Sequence, residues 1–214
     1  YPGSAGAVTA VAGTPGVFKY VHQWHNFLIG SGISTQKNRV QFSALSDRTT
    51  WPAGGIMDRP YGEVSGLASL SDTFYIFYLD HIEKIVGYES NYSDFIIDLF
   101  ANVGCISHHS IVSNGSSLFF VSRDGIYAIG NIGASSNTVG GTSLIKLAQQ
   151  KIKKFWATLD LSRDIIHGVH DQNNQCIRWS VRRTGQSYND REIVFDYSNN
   201  ILGYKKTSGR YISC

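Results

Sequence analysis

The chain has 214 residues, a formal net charge of +3, 16% charged residues, 13% aromatic residues and 22 glycines. This length can form one all-β domain with a substantial core. The charged fraction lies below the roughly 25% that is usual for soluble domains, and so small a net charge does not by itself imply nucleic-acid binding. No apolar run approaches the ~18 residues that would span a bilayer, so we expect no membrane span.

Residues 1–16 are rich in glycine, alanine, proline and serine, which predicts a flexible leader. The chain starts without methionine and stops in strand-like sequence, so we expect a fragment of a longer polypeptide. Its three cysteines, Cys105, Cys176 and Cys214, are far apart and lack zinc-type pairing. An odd count with such spacing favours buried or free thiols in a reducing setting over a disulfide framework.

Short apolar runs separated by turn residues follow one another along the chain. In residues 38–44, Val40, Phe42 and Ala44 alternate with polar residues, which predicts a strand with one buried face. Residues 73–79 are almost wholly apolar, as expected of a strand buried on both faces. Residues 46–61 between these two strands are interpreted as a long polar loop. We predict further strands at 18–22, 27–29, 64–70, 82–88, 94–100, 165–170, 175–182, 192–197 and 201–205.

Residues 113–130 contain the clearest hairpin pattern. The apolar run 118–121 is followed by Arg123-Asp124-Gly125 and by a second apolar run at 126–129. Asp-Gly between two β-rich runs is a strong hairpin signal, because glycine readily adopts the positive φ that tight hairpin turns need.

Residues 143–156 are the one segment that predicts a helix. Leu144, Leu147, Ile152 and Phe155 recur near helical spacing, and lysines lie among them. Thr142 or Ser143 is suited to cap its start. Part of this segment also fits a strand.

The hairpins repeat along the chain. Central apolar runs near Phe27, Phe74, Leu118 and Ile177 are about 45 to 60 residues apart, and each is followed by a turn and an aromatic-bearing strand. A period of roughly 40–50 residues with about four short strands is typical of a β-propeller. We therefore predict that residues 1–214 form a single all-β, propeller-like domain of repeated four-stranded antiparallel sheets. Three to four blades fit, and either missing chain completes the ring or the fold is a β-sandwich.

Several motifs resemble a known family. Residues 38–43, Asn-Arg-Val-Gln-Phe-Ser, resemble the NRL-x-FS segment of tail-tube nozzle and hub proteins of short-tailed phages. The family's later G-C-x-S and L-F-F-x-S-x-D-G-I-Y stretches are matched by residues 104–107 and 118–127. A basic I-x-x-x-W segment is matched by residues 152–156. The resemblance covers roughly residues 20–200 in the same order.

This resemblance implies a virion structural protein that is assembled in the bacterial cytoplasm and resides in the phage tail. Identical subunits would form a ring around the DNA exit channel, next to neighbouring tail or portal-adaptor proteins. DNA would pass through transiently without sequence recognition. The family has no catalytic residues to transfer, so the resemblance implies no enzyme activity and no cofactor.

Candidate catalytic and metal-binding residues do not form a recognisable motif. His167 and His170 should point to opposite faces of a strand, which argues against a shared metal ion. His22 and His25 could converge across a turn, but no carboxylate or cysteine lies beside them. The chain lacks Gly-x-Ser-x-Gly, which argues against a serine hydrolase. A pair of acids for glycoside hydrolysis stays open, among Asp58, Glu63, Asp72, Asp80, Glu83, Asp94 and Asp98.

Two basic groups are candidates for subunit or DNA contacts, although a solvated charged surface is the simpler interpretation. The first contains Lys146, Lys151, Lys153 and Lys154, and the second contains Arg178, Arg182 and Arg183. Trp51 is a candidate exposed aromatic contact for a protein or a sugar ring. A carbohydrate-binding, lectin-like propeller is therefore the alternative function, with a glycoside hydrolase behind it.

Overall fold

The computed structural model describes residues 12–13, 15–87, 92–130, 143–147 and 152–206. Its main strands form four four-stranded antiparallel sheets, and within each sheet the strands lie side by side in chain order. The prediction of an all-β, propeller-like fold built from such sheets is confirmed. The four sheets are called blades 1 to 4 in chain order.

Blade 1 contains a strand that its sequence pattern does not predict. Residues 46–61, interpreted as a loop, contain the fourth strand of the blade, because Val40 and Gln41 pair with Met57 and Ile56. A short parallel pair, β1 with β5, lies beside this blade. The strands are β1 (Ala12–Gly13), β2 (Tyr20–Trp24), β3 (Phe27–Ile33), β4 (Gln36–Phe42), β5 (Thr50–Trp51) and β6 (Ile56–Asp58), with a 3-10 turn at Ala53–Gly55.

Blade 2 is the most apolar sheet. Phe74, Tyr75, Ile76, Phe77 and Tyr78 of its second strand are all buried, so the prediction of a strand covered on both faces is confirmed. Its strands are β7 (Val64–Leu70), β8 (Thr73–Tyr78), β9 (Ile82–Val86) and β10 (Ile96–Ala101), with a 3-10 turn at Tyr92–Asp94.

Blade 3 contains the predicted hairpin. Ser122 pairs with Gly125 across the two-residue turn Arg123-Asp124, and the register continues to Ser117 and Gly130. A 3-10 turn, His108–Ser110, precedes the blade. The strands are β11 (Val112–Ser113), β12 (Ser117–Ser122), β13 (Gly125–Gly130) and β14 (Ser143–Lys146).

The helix predicted at 143–156 is shorter than its periodicity indicates. Residues 143–146 form β14, since Leu144 and Ile145 pair with Ile129 and Ala128 and complete blade 3. The helix α1 comprises only Lys153–Trp156. The predicted bounds are therefore wrong for the first four residues, because pairing with a distant strand outweighs a weak local helical preference. Residues 148–151 lie outside the described residues.

Blade 4 is built from two hairpins whose turns are fixed by aspartates. Asp171 accepts hydrogen bonds from the backbone and side chain of Asn174, and Asp196 does the same for Asn199. The strands are β15 (His167–Asp171), β16 (Cys176–Val181), β17 (Arg191–Asp196) and β18 (Ile201–Lys206).

Three hydrophobic clusters fill the interfaces between successive blades. Phe27, Phe42 and Phe74 belong to the cluster between blades 1 and 2. Phe77 and Phe120 meet at 5.1 Å between blades 2 and 3. The third cluster joins blades 3 and 4 around Phe119, Trp179 and Phe195, with Phe155 of α1 at its edge. The described residues form no hydrophobic cluster between blades 4 and 1.

The outer face of blade 1, which points away from blade 2, is covered by the segment that precedes β2. Phe18 lies so close over Gly30 that a Cβ there would come within 2.4 Å of its ring. The backbone N–H of Gly16 donates to Oε1 of Gln41. Part of the predicted flexible leader is therefore packed, because this face would otherwise expose β3. Residues 1–11 of the leader lie outside the described residues. No helix in the described ranges is long and apolar enough to cross a membrane.

Candidate functional site

The segments that lead into the innermost strands of the four blades meet in a polar cluster, here called the axial cluster. From blade 1, Lys19 and the hydroxyl of Tyr20 contact the carboxylate of Asp164, which precedes β15 of blade 4. Arg163 forms an ion pair with Glu63 at 2.7 Å, and its guanidinium donates to the carbonyl of Val64 at the start of blade 2. Residues up to 145 positions apart are thus joined by charge and hydrogen bonding.

Histidines complete the axial cluster from blades 1, 3 and 4. The ring of His108 lies 4.8 Å from that of Tyr20, and His109 stacks on His167 at 4.9 Å. The backbone N–H of Leu67 donates to Nδ1 of His108. Burial, assisted by the nearby His109, lowers the pKa of His108 to about 4. Burial also lowers the pKa of His22, which contacts Ser69, and that of His167.

The histidines do not converge on a metal ion. His167 faces His109, whereas His170 contacts the hydroxyl of Tyr197, so the predicted divergence of this pair is confirmed. His22 turns toward Ser69, while His25 lies against Trp24. Within the described ranges, no group of three or more His, Cys, Asp or Glu residues is placed to hold a metal. Sequence reasoning missed this cluster as a whole, because its members come from all four blades.

The buried thiol of Cys105 is not activated as a nucleophile. Cys105 is fully buried, and burial raises the pKa of its thiol to about 11. A thiol with so high a pKa carries almost no thiolate at neutral pH. Cys105 and Cys176 are both buried and free, as predicted. Cys214 lies outside the described residues.

The two predicted basic groups do not merge into one patch. Lys146 is paired with Asp124 at 2.7 Å, whereas Lys153 and Lys154 are exposed on α1 and form no ion pair with any residue that the structure describes. Lys151 lies outside the described residues. The three arginines are neutralised by acidic neighbours: Arg178 by Asp171, Arg182 by Asp160 and Arg183 by Asp190, each within 2.8 Å.

Trp51 is not an exposed aromatic contact. Its side chain is 5% exposed and its ring lies 4.8 Å from that of Phe18. The short pairing of β5 with β1 places the indole under the segment that covers blade 1. The prediction that Trp51 is exposed is therefore wrong. The polar sequence of residues 46–61 does not indicate that β5 pairs with β1.

The outer face of blade 4, which points away from blade 3, carries a row of alternating charges. Residues of β16 alternate between the two faces, so Trp179 enters the cluster with blade 3 while Arg178 points the other way. Arg178 contacts both Asp171 and Glu192, and Lys205 contacts Glu192 at 2.9 Å. Glu192 is only 5% exposed.

An open depression of about 580 Å³ lies on this same outer face, at the turn between β15 and β16. Its lining combines carboxylates, a guanidinium and amide side chains with one apolar residue. The residues are Val169, His170, Asp171, Gln172, Asn173, Arg178 and Glu192.

Comparisons with known proteins support the fold alone. No family model matches the chain, and no curated protein matches it. Among solved structures, the N-terminal domain of Nup159 superposes with a TM-score of 0.52 at 9% identity, over 88% of this chain and 47% of that one. A mutant of the Synechocystis apocarotenoid oxygenase gives a TM-score of only 0.38 at 9% identity, over 84% and 45%. The chain spans about half the length of these structures, and it is a β-propeller-like domain.

Proposed function

We propose that this chain is part of a structural subunit of the tail nozzle or hub of a short-tailed phage. Identical subunits form a ring around the channel through which DNA leaves the capsid. One observation carries the proposal: the residues that resemble this family occur in the family's order, and the resemblance implies the propeller-like fold that the chain has. The proposed location is the virion tail, after assembly in the bacterial cytoplasm.

The positions of the residues that carry the family resemblance support a structural role for this protein. In residues 38–43, Asn38 donates to the carbonyl of Arg59, and Val40 and Phe42 are fully buried. Gly104 lies against the backbone of Tyr78, and Ser107 donates to the carbonyl of Ile166 of the next blade segment. These residues hold backbone segments in place, which is a structural role. We therefore propose no enzyme activity.

The proposed partners are identical subunits, neighbouring tail or portal-adaptor proteins, and DNA in transit. Among the described members of the first basic group, Lys153 and Lys154 are exposed and form no ion pair. Contact with passing phosphates would be weak and independent of sequence, since it releases few counterions. The arginines of the second group are already paired with carboxylates and suit a role within the subunit.

The solution mass of the complete polypeptide that contains this chain tests the proposal. We expect light scattering to give a multiple of the subunit mass, and negative-stain images of the same peak to show rings with a central hole. A monomer at all concentrations, with no ring in the images, would contradict the proposal.

The DNA contact is tested on the same rings. The double variant Lys153→Gln with Lys154→Gln should weaken retention on duplex DNA at low salt, because two phosphate contacts are lost. Lys146→Gln is the matched control and should leave retention unchanged, since the Lys146 charge is already neutralised by Asp124. Equal effects of the two changes would remove DNA contact from the proposal.

A further inference from the structure

The outermost strand of each blade has a free edge, and two of these edges are longer than the others. β10 of blade 2 and β18 of blade 4 each have six residues, whereas β6 and β14 have three and four. β10 pairs only with β9, and β18 pairs only with β17. The backbone groups on the other side of each strand have no strand partner among the described residues, and such an edge readily pairs with another chain.

Exposed apolar side chains are concentrated on the two long edge strands. On β10, Ile96 is 59% and Leu99 is 45% exposed. On β18, Ile201 is 52% and Tyr204 is 51% exposed, although the ring of Tyr204 also stacks on Phe155 at 3.9 Å. By contrast, β6 and β14 carry no exposed large apolar side chain. Exposed apolar residues on an unpaired edge mark a surface that another protein covers.

The same two strands carry opposite charges. Asp98 on β10 and Lys206 on β18 are exposed, and neither forms an ion pair within the part of the chain that the structure describes. Lys84 is the register partner of Asp98, but their charged atoms do not reach ion-pair distance. On β6 and β14, the one charged residue of each strand is already paired within its own blade. The two long edges are therefore complementary to each other in charge.

The two edges cannot meet within one chain, because blade 3 lies between blades 2 and 4 and packs against both. We propose that β10 of one subunit pairs edge to edge with β18 of a second copy of this chain. The exposed apolar side chains then cover each other, and Asp98 lies beside Lys206. A register shift between Leu99 and Ala101 ends the regular part of β10, so residues 96–99 are the part that pairs.

This contact joins two different surfaces, so each subunit uses β10 toward one neighbour and β18 toward the other. Such a head-to-tail contact closes into a ring when the rotation between neighbours allows it. The inference rests on the proposed ring of identical subunits, and it names the strands that join them.

Charge reversal tests the contact in the complete polypeptide that contains this chain. Asp98→Lys and Lys206→Glu each place like charges across the contact, so each should raise the concentration needed for assembly about tenfold, measured by light scattering. A mixture of the two variants should restore assembly, because the substituted β10 of one meets the substituted β18 of the other. The double variant should assemble for the same reason. Asp72→Lys is the matched control, since Asp72 is an exposed acid of blade 2 on the turn between β7 and β8.

Two further variants separate assembly from folding. Asp98→Lys brings a like charge opposite Lys84 in its own sheet, whereas Asp98→Asn does not and should still weaken assembly, by a smaller factor. Ile96→Thr with Ile201→Thr keeps β-branched residues on both strands. It should preserve the melting temperature, measured where the unsubstituted polypeptide is monomeric, and weaken assembly severalfold because apolar cover is lost.

The outcomes distinguish this contact from the proposed function. Rings that form equally well with Asp98→Lys and with Lys206→Glu would overturn the contact and leave the proposed function standing. Loss of assembly in both variants that neither the mixture nor the double variant restores would also overturn the contact. An unsubstituted polypeptide that forms no assembly at any concentration contradicts both proposals.

Discussion

Glu83 on β9 is buried more deeply than any other carboxylate that the structure describes, at 1% exposed. Nε of Arg59 donates to its Oε2 at 3.0 Å, and the hydroxyl of Tyr78 donates to the same oxygen at 2.6 Å. Burial and the Glu83 charge together hold the pKa of the Tyr78 hydroxyl far above its ordinary value. The carboxylate is tolerated in blade 2 because two donors replace its water.

Removing one donor should therefore be costly. We expect Arg59→Ala to lower the free energy of unfolding by about 3–5 kcal/mol, since it leaves a buried charge without its partner. Arg39→Ala is the control, because its partner Asp58 is 51% exposed in the side chain, and it should cost no more than about 1 kcal/mol. Urea denaturation of both variants measures the difference, and equal losses would contradict the role assigned to Arg59.

Gly104 is required by a close approach of backbones. A Cβ at this position would lie 2.2 Å from the carbonyl oxygen of Tyr78 and 2.3 Å from the backbone nitrogen of Asp80. Backbone cannot move aside as a flexible side chain can, so Gly104→Ala should cost about 3 kcal/mol. Gly203→Ala on β18 meets nothing within 4 Å and should be neutral or slightly stabilising. Thermal melts compare the two, and a small shift for Gly104→Ala would contradict the close approach.

At the scale of elements, β16 connects blade 4 to blade 3 through one buried hydrogen bond. The indole N–H of Trp179 donates to the carbonyl of Ser110, 69 residues away, at 2.9 Å. Ser110 also donates to Ser107, so the 3-10 turn before blade 3 is fixed from both sides. The contact explains why this turn keeps a defined position between two sheets.

Trp179→Phe should lower the free energy of unfolding by about 2 kcal/mol, because the carbonyl of Ser110 stays buried without its donor. Trp156→Phe removes a comparable indole hydrogen bond, to the carbonyl of Arg123, at an exposed site. That control should cost less than about 1 kcal/mol. If the two substitutions have the same effect in guanidinium denaturation, burial does not set the strength of the Trp179 contact.

At the scale of the whole molecule, blades 4 and 1 share no hydrophobic cluster among the described residues. Asp164, which precedes β15, contacts blade 1 through Lys19 and Tyr20. Polar contacts in partial contact with water stabilise less than apolar burial does, so we expect these contacts to open before the clusters between successive blades.

Asp164→Ala should therefore increase amide exchange at both β2 and β15, although about 145 residues separate them. Exchange in blades 2 and 3 should change little, because their hydrophobic clusters are untouched. Asp160→Ala is the control. It removes an ion pair with Arg182, and both residues belong to blade 4 or to the segment that leads into it. Faster exchange confined to β15 would show that β2 does not depend on the contact with Asp164.

The axial cluster should also make stability depend on pH. The folded-state pKa values of His22, His108 and His167 lie below the ordinary value of about 6.5, so the unfolded chain takes up protons first as the pH falls. Their contribution is complete above pH ~6.5 and is lost as the pH falls toward about 4, the pKa of His108. For His108 the loss is ~3 kcal/mol. His108→Asn should reduce the dependence of the free energy of unfolding on pH, measured by denaturation between pH ~4 and pH ~6.5. An unchanged dependence on pH would contradict the role assigned to His108.

The repeat and its local chemistry could be predicted from the amino-acid pattern alone. Strands and turns are predicted directly where they depend on neighbours within a few positions. Examples are the alternation in residues 38–44, the hairpin turn at Arg123-Asp124 that precedes Gly125, and the apolar β8. Their spacing was sufficient to predict propeller-like blades. The His167 and His170 divergence follows from the same two-residue period.

Contacts between residues that are far apart in the chain could not be predicted from that pattern. Residues 143–146 form β14 because they pair with β13 at the edge of blade 3. Trp51 is buried because its strand, β5, pairs with β1. The axial cluster and the depression on blade 4 unite side chains from separate strands, in the first case from all four blades. The axial cluster depends on the packing angles between sheets, and the depression depends on the register of three strands in one sheet. A one-dimensional pattern records neither of these.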